Sequence, residues 1–223
     1  MNKMNKGIQL PNSMRLVFAV LLLFGAVGLG GCISYTTGHT ATPVEDGRGE
    51  IGGGLGYSGM SRADGEPMQH MPQFEFSGRY GVSESVDVGG ETFLLIAEPF
   101  AVGAGADVNV ALVNSEEFAF SVNPAVTVSP YVTVGGIYGT ALVNLLVDAV
   151  KTDGFTLTAG LKPGAFYNAR FGEDFRAFPA LGGTLGAKIW ASDTVAFTPW
   201  LDVMGSTSSR FYVTGMVGLR YKL

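Results

Sequence analysis

Residues 211–223 read FYVTGMVGLRYKL. Phe211, Val213, Val217, Leu219, Tyr221 and Leu223 fall on one side of a two-residue period, with Tyr212, Thr214, Arg220 and Lys222 on the other. Side chains of an extended strand point alternately to opposite faces, so this block reads as a strand with one apolar and one mixed polar face. The pattern recurs upstream. Phe74, Phe76, Tyr80 and Val82 alternate with Glu75, Ser77 and Arg79, and Val86 and Val88 with Asp87. Val108 and Val110 oppose Asp107 and Asn109. Phe120, Val122 and Val126 oppose Ser121, Asn123 and Thr127. Leu157 and Leu161 oppose Thr158 and Lys162, and Phe197 and Leu201 oppose Thr198 and Asp202.

The blocks predict about ten strands, within a range of about 8–12, each near the 9–11 residues that cross a bilayer at a tilt. Short turns are expected near 83–85, 114–117, 151–154 and 191–194. They alternate with connections near 59–72, 98–101, 129–138, 169–180 and 205–210, which places short and long connections on opposite rims. Pro124, Pro163 and Pro199 fall inside blocks and are each expected to mark a bulge or a displaced boundary, because proline cannot donate to a ladder. Ala141 to Val150 also fits a helical face at i, i+3, i+4 spacing.

Alternation alone does not say which face is outside, since a soluble ligand-binding barrel has the same period with its apolar face inward. Composition decides. Charged residues are only 15% of the chain and glycines number 33, so a water-facing surface rich in Lys and Glu is missing. The polar face is mostly Gly, Ala, Ser, Thr and Asn, with scattered charges of both signs: Glu75, Arg79, Asp87, Glu91, Asp107, Asp148, Lys162, Lys188, Asp202 and Arg220. These are expected to pair across a narrow lumen, with Trp200, Met204 and Tyr212 beside them. Phe118, Phe155, Phe211 and Tyr221 suit an aromatic girdle. The predicted fold is all-β: an antiparallel up-and-down transmembrane β-barrel.

Ahead of the barrel, Lys3, Lys6 and Arg15 precede an apolar run from Leu16 to Val27, too short and wrongly flanked for a spanning helix. The run closes on Leu29-Gly30-Gly31-Cys32. These four residues resemble the lipobox of bacterial lipoproteins, in which the cysteine is acylated and becomes the first mature residue. The resemblance implies a cleaved signal peptide over 1–31, a lipidated polar tether over 32–48 and a barrel over 49–223. Residues 211–223 resemble the closing strand of outer-membrane barrels, read by the insertion machinery at the C-terminus through Phe211, Val213, Val217, Leu219, Tyr221 and Leu223. The run from Arg79-Tyr80-Gly81-Val82 to Val86-Asp87-Val88-Gly89, with Thr40-Ala41-Thr42-Pro43 before it, resembles uncharacterised bacterial outer-membrane β-barrel lipoproteins. Expected partners are then outer-membrane lipids and the barrel-insertion and lipoprotein-sorting machineries, with the N-terminus on the periplasmic side.

A formal charge of −5, carried by 19 acidic and 14 basic residues, argues against a nucleic-acid partner. No cofactor is expected beyond lipid on Cys32, the single cysteine. Imidazole is the base that activates a hydroxyl or water near neutral pH, and the chain holds only His39 and His70. His39 falls in the tether, away from the barrel. His70 falls in the 59–72 connection near Ser58, Ser61 and Asp64 at no spacing that makes a triad, so no catalytic residue is assigned. Met68, His70 and Met71 are weak candidates for a soft metal such as Cu(I). Two readings stand beside a structural or surface-interaction role: a narrow passive channel for small solutes, and a lipid-modifying or metal-binding loop around His70.

Overall fold

The computed structural model describes residues 38–62, 69–96, 101–131, 136–170, 174–208 and 210–223. The signal peptide, Cys32 and Met68 lie outside these residues. The alternating blocks form strands β1 (Gly49–Arg62), β2 (Gln69–Ser83), β3 (Val86–Leu95), β4 (Ala101–Asn114), β5 (Ala119–Tyr131) and β6 (Gly136–Thr152). There follow β7 (Phe155–Leu161), β8 (Gly164–Arg170), β9 (Arg176–Trp190), β10 (Val195–Ser206) and β11 (Arg210–Lys222). Neighbours pair antiparallel, and β11 returns to β1 with Glu50 opposite Lys222 and Arg62 opposite Arg210. Strands β7 and β8 are one stave. On β6, Leu145 faces Leu161 and Leu142 faces Gly164 in a single register, and β9 continues unshifted from Ile189 opposite Phe155 to Ala180 opposite Gly164. Ten staves therefore close the barrel and leave no sheet edge.

The prolines correct one sequence expectation. Pro124 faces Val143 and Pro199 faces Val217 in unbroken register. Pro163 accepts a hydrogen bond from the Val143 amide at 2.9 Å. Each proline gives up one ladder donor without moving its stave. The register shifts instead fall between Gly81 and Ser83, Ala111 and Val113, and Asp148 and Val150, each close to a short turn. Ala141 to Val150 is part of β6, not a helix. The staves also run further than expected, so Gly59 to Arg62 and Gln69 to Pro72 are strand instead of loop.

The apolar face is outside. Leu55, Phe76, Val126, Leu161 and Leu219 are all more than half exposed, while Asn109, Asn123, Asn144, Asp148, Thr158 and Thr214 are wholly buried. Such a barrel is stable where its outer surface meets hydrocarbon, because the closed ladder satisfies the backbone and only apolar side chains remain to be solvated. The glycine content has a packing role inside. The Phe93 ring lies over Gly103 and the Trp200 indole over Gly186, where an added Cβ would come within 1.8 Å of ring atoms. These two large inward side chains thus lie flat over the glycine of the adjacent stave.

Both ends of the barrel chain meet at one rim, where the Leu223 amide donates to the Gly49 carbonyl at 2.8 Å. The short turns after β2, β4, β6 and β9 share this rim, called here the turn rim. The opposite, loop rim carries the other connections, of which 63–68, 96–100 and 171–175 are longer than any on the turn rim.

Candidate functional site

The interior is built in two tiers. Towards the loop rim an apolar cluster stands in it, in which Met71, Leu142, Ala180, Met204 and Tyr212 pack together with Met60 and Phe166, and Ser58, Gln73, Ser129 and Thr214 are buried at the same end. Phe93, Leu95 and Ala101 form a neighbouring cluster with Tyr138. Phe166 and Tyr212 rings lie 4.5 Å apart. Towards the turn rim the interior is polar and charged. Trp200 lies between the tiers and donates its indole N–H to the Thr184 hydroxyl at 2.6 Å.

All ten charges named from the sequence project from the inner face. Arg79 holds two carboxylates at once: its Nε donates to Asp87 at 2.8 Å and its Nη1 to Asp107 at 3.0 Å, with Nη2 reaching both. Lys162 and Asp202 pair at 2.6 Å with both side chains fully buried. Lys188 pairs at 2.6 Å with Glu50, an acid missing from the sequence set. Arg220 donates to the Ser77 hydroxyl at 2.6 Å. An amide relay extends from Asn144 through Asn123 to Asp107, both links 2.6 Å. Glu75 and Glu91 face the same interior. Buried charges on this scale persist only when paired or hydrogen-bonded, and the wall supplies partners from strands far apart in sequence.

The stretch read as a polar tether is, from Gly38 to Val44, inside the barrel. Residues Arg48 and Glu45 to Gly47 make the turn that brings it there. Gly47 has φ of 67°, the Arg48 amide donates to the Glu45 carbonyl at 3.0 Å, and Asp46 bridges to Gly81. Gly81 is required there, since a Cβ would fall 2.1 Å from the Glu45 carbonyl oxygen. The chain then runs inward as a strap. Ala41 and Thr42 amides donate to Asp148 at 2.9 and 2.8 Å, and the Thr42 hydroxyl adds a third bond at 2.6 Å. The Val44 amide donates to Asp87 at 3.0 Å. Asn109 donates to the Ala41 carbonyl at 3.4 Å and Arg220 to the Gly38 carbonyl at 3.2 Å.

His39 is therefore a lumen residue, contrary to its sequence placement. Its Nε2 lies 3.7 Å from an Asp107 oxygen and its Nδ1 3.1 Å from the Thr40 carbonyl. Burial, then the charge of Arg79, lowers its pKa from 6.5 to about 4, against the opposite pull of Asp107 and Asp87. Arg220, Lys188 and Glu50 line the same small space. A histidine released from the barrel takes its proton near 6.5, whereas the docked one resists until about 4. Docking is thus at full strength above 6.5 and weakens as pH falls through that interval. Hydrogen exchange over residues 38–44 is expected to speed up from pH 6.5 to 4 relative to the staves, and His39→Gln to flatten the response.

The other candidates separate. His70 is on β2, exposed on the outer face, and stacks on Tyr57 with centroids 5.5 Å apart. Met71, the next residue, points inward and is buried. Adjacent strand residues face opposite sides of the wall, so these two cannot close on one ion. Ser58 is buried inside, bonded to Gln73 at 3.0 Å and Thr214 at 2.9 Å, and is on the other face from His70. Among the described residues no three His, Cys, Asp or Glu side chains group as metal ligands. The terminal set Phe211, Val217, Leu219, Tyr221 and Leu223 is exposed on the outer face, with Val213 half-buried beside it. At the turn rim, the strap floors an open cup of about 1040 Å³. Trp190 stands in its wall with Lys188 and Lys222 ammonium groups 4.7 and 4.6 Å from its ring centroid.

No family model and no curated protein sequence matches the chain. Among solved structures it is similar to the outer membrane protease OmpT of Escherichia coli, with a TM-score of 0.52 and 6% identity over 79% of this chain and 96% of that one. It is also similar to the NanC porin, with a TM-score of 0.46 and 12% identity over 78% and 100% of the two chains. A third likeness is to Ail, the attachment invasion locus protein of Yersinia pestis, with a TM-score of 0.40 and 14% identity over 80% and 99%. The likeness to OmpT is one of fold. The chain is a closed ten-stranded transmembrane β-barrel of the kind found in outer membranes.

Proposed function

We propose that this protein is an outer-membrane β-barrel lipoprotein, acylated on Cys32, that is closed to solutes and acts through its rims as a structural, envelope or surface-interaction component. The observation that carries this reading is the filled interior. An apolar tier of Met71, Leu142, Met204 and Tyr212 stands above a charge-paired tier, and the strap crosses the second. A passive channel needs a continuous wet path, and these side chains stand across it. In this reading the turn rim faces the periplasm, as both chain ends and the short turns do in outer-membrane barrels. The insertion machinery would read Phe211 to Leu223, and lipoprotein sorting would act on the acylated cysteine.

Reconstitution into planar bilayers is the direct test: no unitary conductance is expected at any voltage, and steady single-channel steps from the native chain would overturn closure. Metabolic labelling with palmitate should mark the native protein in the outer-membrane fraction and not the Cys32→Ser variant. The variant barrel should still be membrane-inserted, because the outer stave faces bury far more apolar area than acyl chains do.

A further inference from the structure

The strap is held in an unusual way. Apart from the Thr42 hydroxyl and the His39 imidazole 3.7 Å from Asp107, the groups of Gly38 to Val44 that the wall grips are main chain: the amides of Ala41, Thr42 and Val44, and the carbonyls of Gly38 and Ala41. The wall groups that grip it are side chains of β3, β4, β6 and β11. The strap does not join the sheet; its isolated bridge at Asp46 lies on the rim, not in the lumen. Apart from the buried imidazole of His39, its own side chains are small or compact, from Gly38 and Ala41 to Thr40, Thr42, Pro43 and Val44.

Asp148 shows what the wall is built to bind. It is fully buried on β6, and no cation pairs with it among the described residues. Its carboxylate is satisfied by four donors, three from the strap and one from the Thr158 hydroxyl at 2.6 Å. A buried carboxylate left without donors is costly, so the position of Asp148 makes sense only with consecutive N–H groups in front of it. Asp87 repeats the arrangement further along the strap. One of its oxygens faces Arg79, and the other accepts from the Val44 amide and from Asn109 at 3.3 Å.

We propose that the Asp87–Asn109–Asp148 face of the inner wall is a binding site for a peptide bent so that two consecutive amides meet one carboxylate, one that residues 38–44 occupy as a detachable ligand in cis. The strap leaves without breaking a wall pairing, because its exit is the open cup of about 1040 Å³ that Thr40, Thr42, Pro43 and Val44 already line. Main-chain recognition makes the site tolerant of sequence and selective for a bent segment that turns two adjacent free amides to the same side. This site does not depend on whether Cys32 carries lipid or whether the barrel conducts.

The test uses the full chain with residues 38–44 replaced by a Gly/Ser segment of equal length, and a fluorescent synthetic peptide of residues 38–48. Anisotropy in detergent should show saturable binding to the replaced chain, at least about tenfold weaker binding to the native chain, and a loss of about tenfold or more on adding Asp148→Asn. Heat-modifiable migration on gels reports that each barrel is folded. A folded replaced chain that ignores the peptide, or binds it equally with and without the Asp148→Asn substitution, overturns the proposal. In the native chain Asp148→Asn should also speed hydrogen exchange at residues 41 and 42 while the β6 amides stay protected. Unchanged exchange there overturns it as well, even if the replaced chain does not fold.

Discussion

Lys162→Met is expected to destabilise the barrel by about 3–5 kcal/mol, and Lys162→Met combined with Asp202→Leu to recover most of that loss. Lys162 stands at the joint of β7 and β8, and Asp202 two staves away on β10, both fully buried with nitrogen and oxygen 2.6 Å apart. The second Asp202 oxygen has no hydrogen-bond partner among the described residues, so this ammonium is the principal group facing the carboxylate in the interior. Removing the lysine alone leaves an uncompensated buried charge. Removing both leaves two apolar side chains close to the Met204 and Leu142 tier. Urea unfolding of the reconstituted protein, followed by heat-modifiable migration, measures all three. Equal losses in the single and double variants would mean that packing, not charge, sets the cost.

Val126→Arg tests the outside of the barrel as sharply as Lys162 tests the inside. Val126 lies mid-way along β5, 56% exposed, between Ala106 on β4 and Ala141 on β6. In a bilayer an arginine at this depth costs about 2–4 kcal/mol, falling to about 0–1 near an interface, so Tyr221→Arg at the turn rim should cost far less. In a water-soluble barrel neither position would matter much, because a surface arginine is readily hydrated. Unfolding from vesicles of defined thickness reads the difference. A flat response along the stave would contradict a membrane-spanning wall.

The barrel was legible because its physics is periodic. One face must meet lipid and the other a polar interior, and that demand is written into every second residue from Ile51 to Leu223. The prolines misled because a lost donor and a broken register are different events. Pro163 loses a bond on one side while its carbonyl still accepts from Val143. His70 and Met71 were separable from sequence by strand parity alone, once β2 is extended to Gln69. The pairings among inward charges were not legible, since Lys188 meets Glu50 across 138 residues and nothing local marks them as partners. The strap was least legible of all. Its bonds are made mostly by main-chain groups that nearly every residue possesses, so Gly38 to Val44 show only the polar, turn-rich composition of a linker. The signal lay in the wall: Asp148 is an inward acid with no basic residue on the neighbouring inner positions Ala119, Leu146 and Thr158.

The strap also sets a length. Docked, the barrel grips the chain as far as Gly38, six residues from Cys32, a lead of at most about 20 Å. Undocked, the lead runs from Cys32 to the rim at Arg48, about 55 Å at full stretch. An acyl group on Cys32 would then be hauled in or let out by a few hydrogen bonds to Asp87 and Asp148. The interior of the barrel would act as a spool, and the distance over which its lipid roams would report whether the spool is wound.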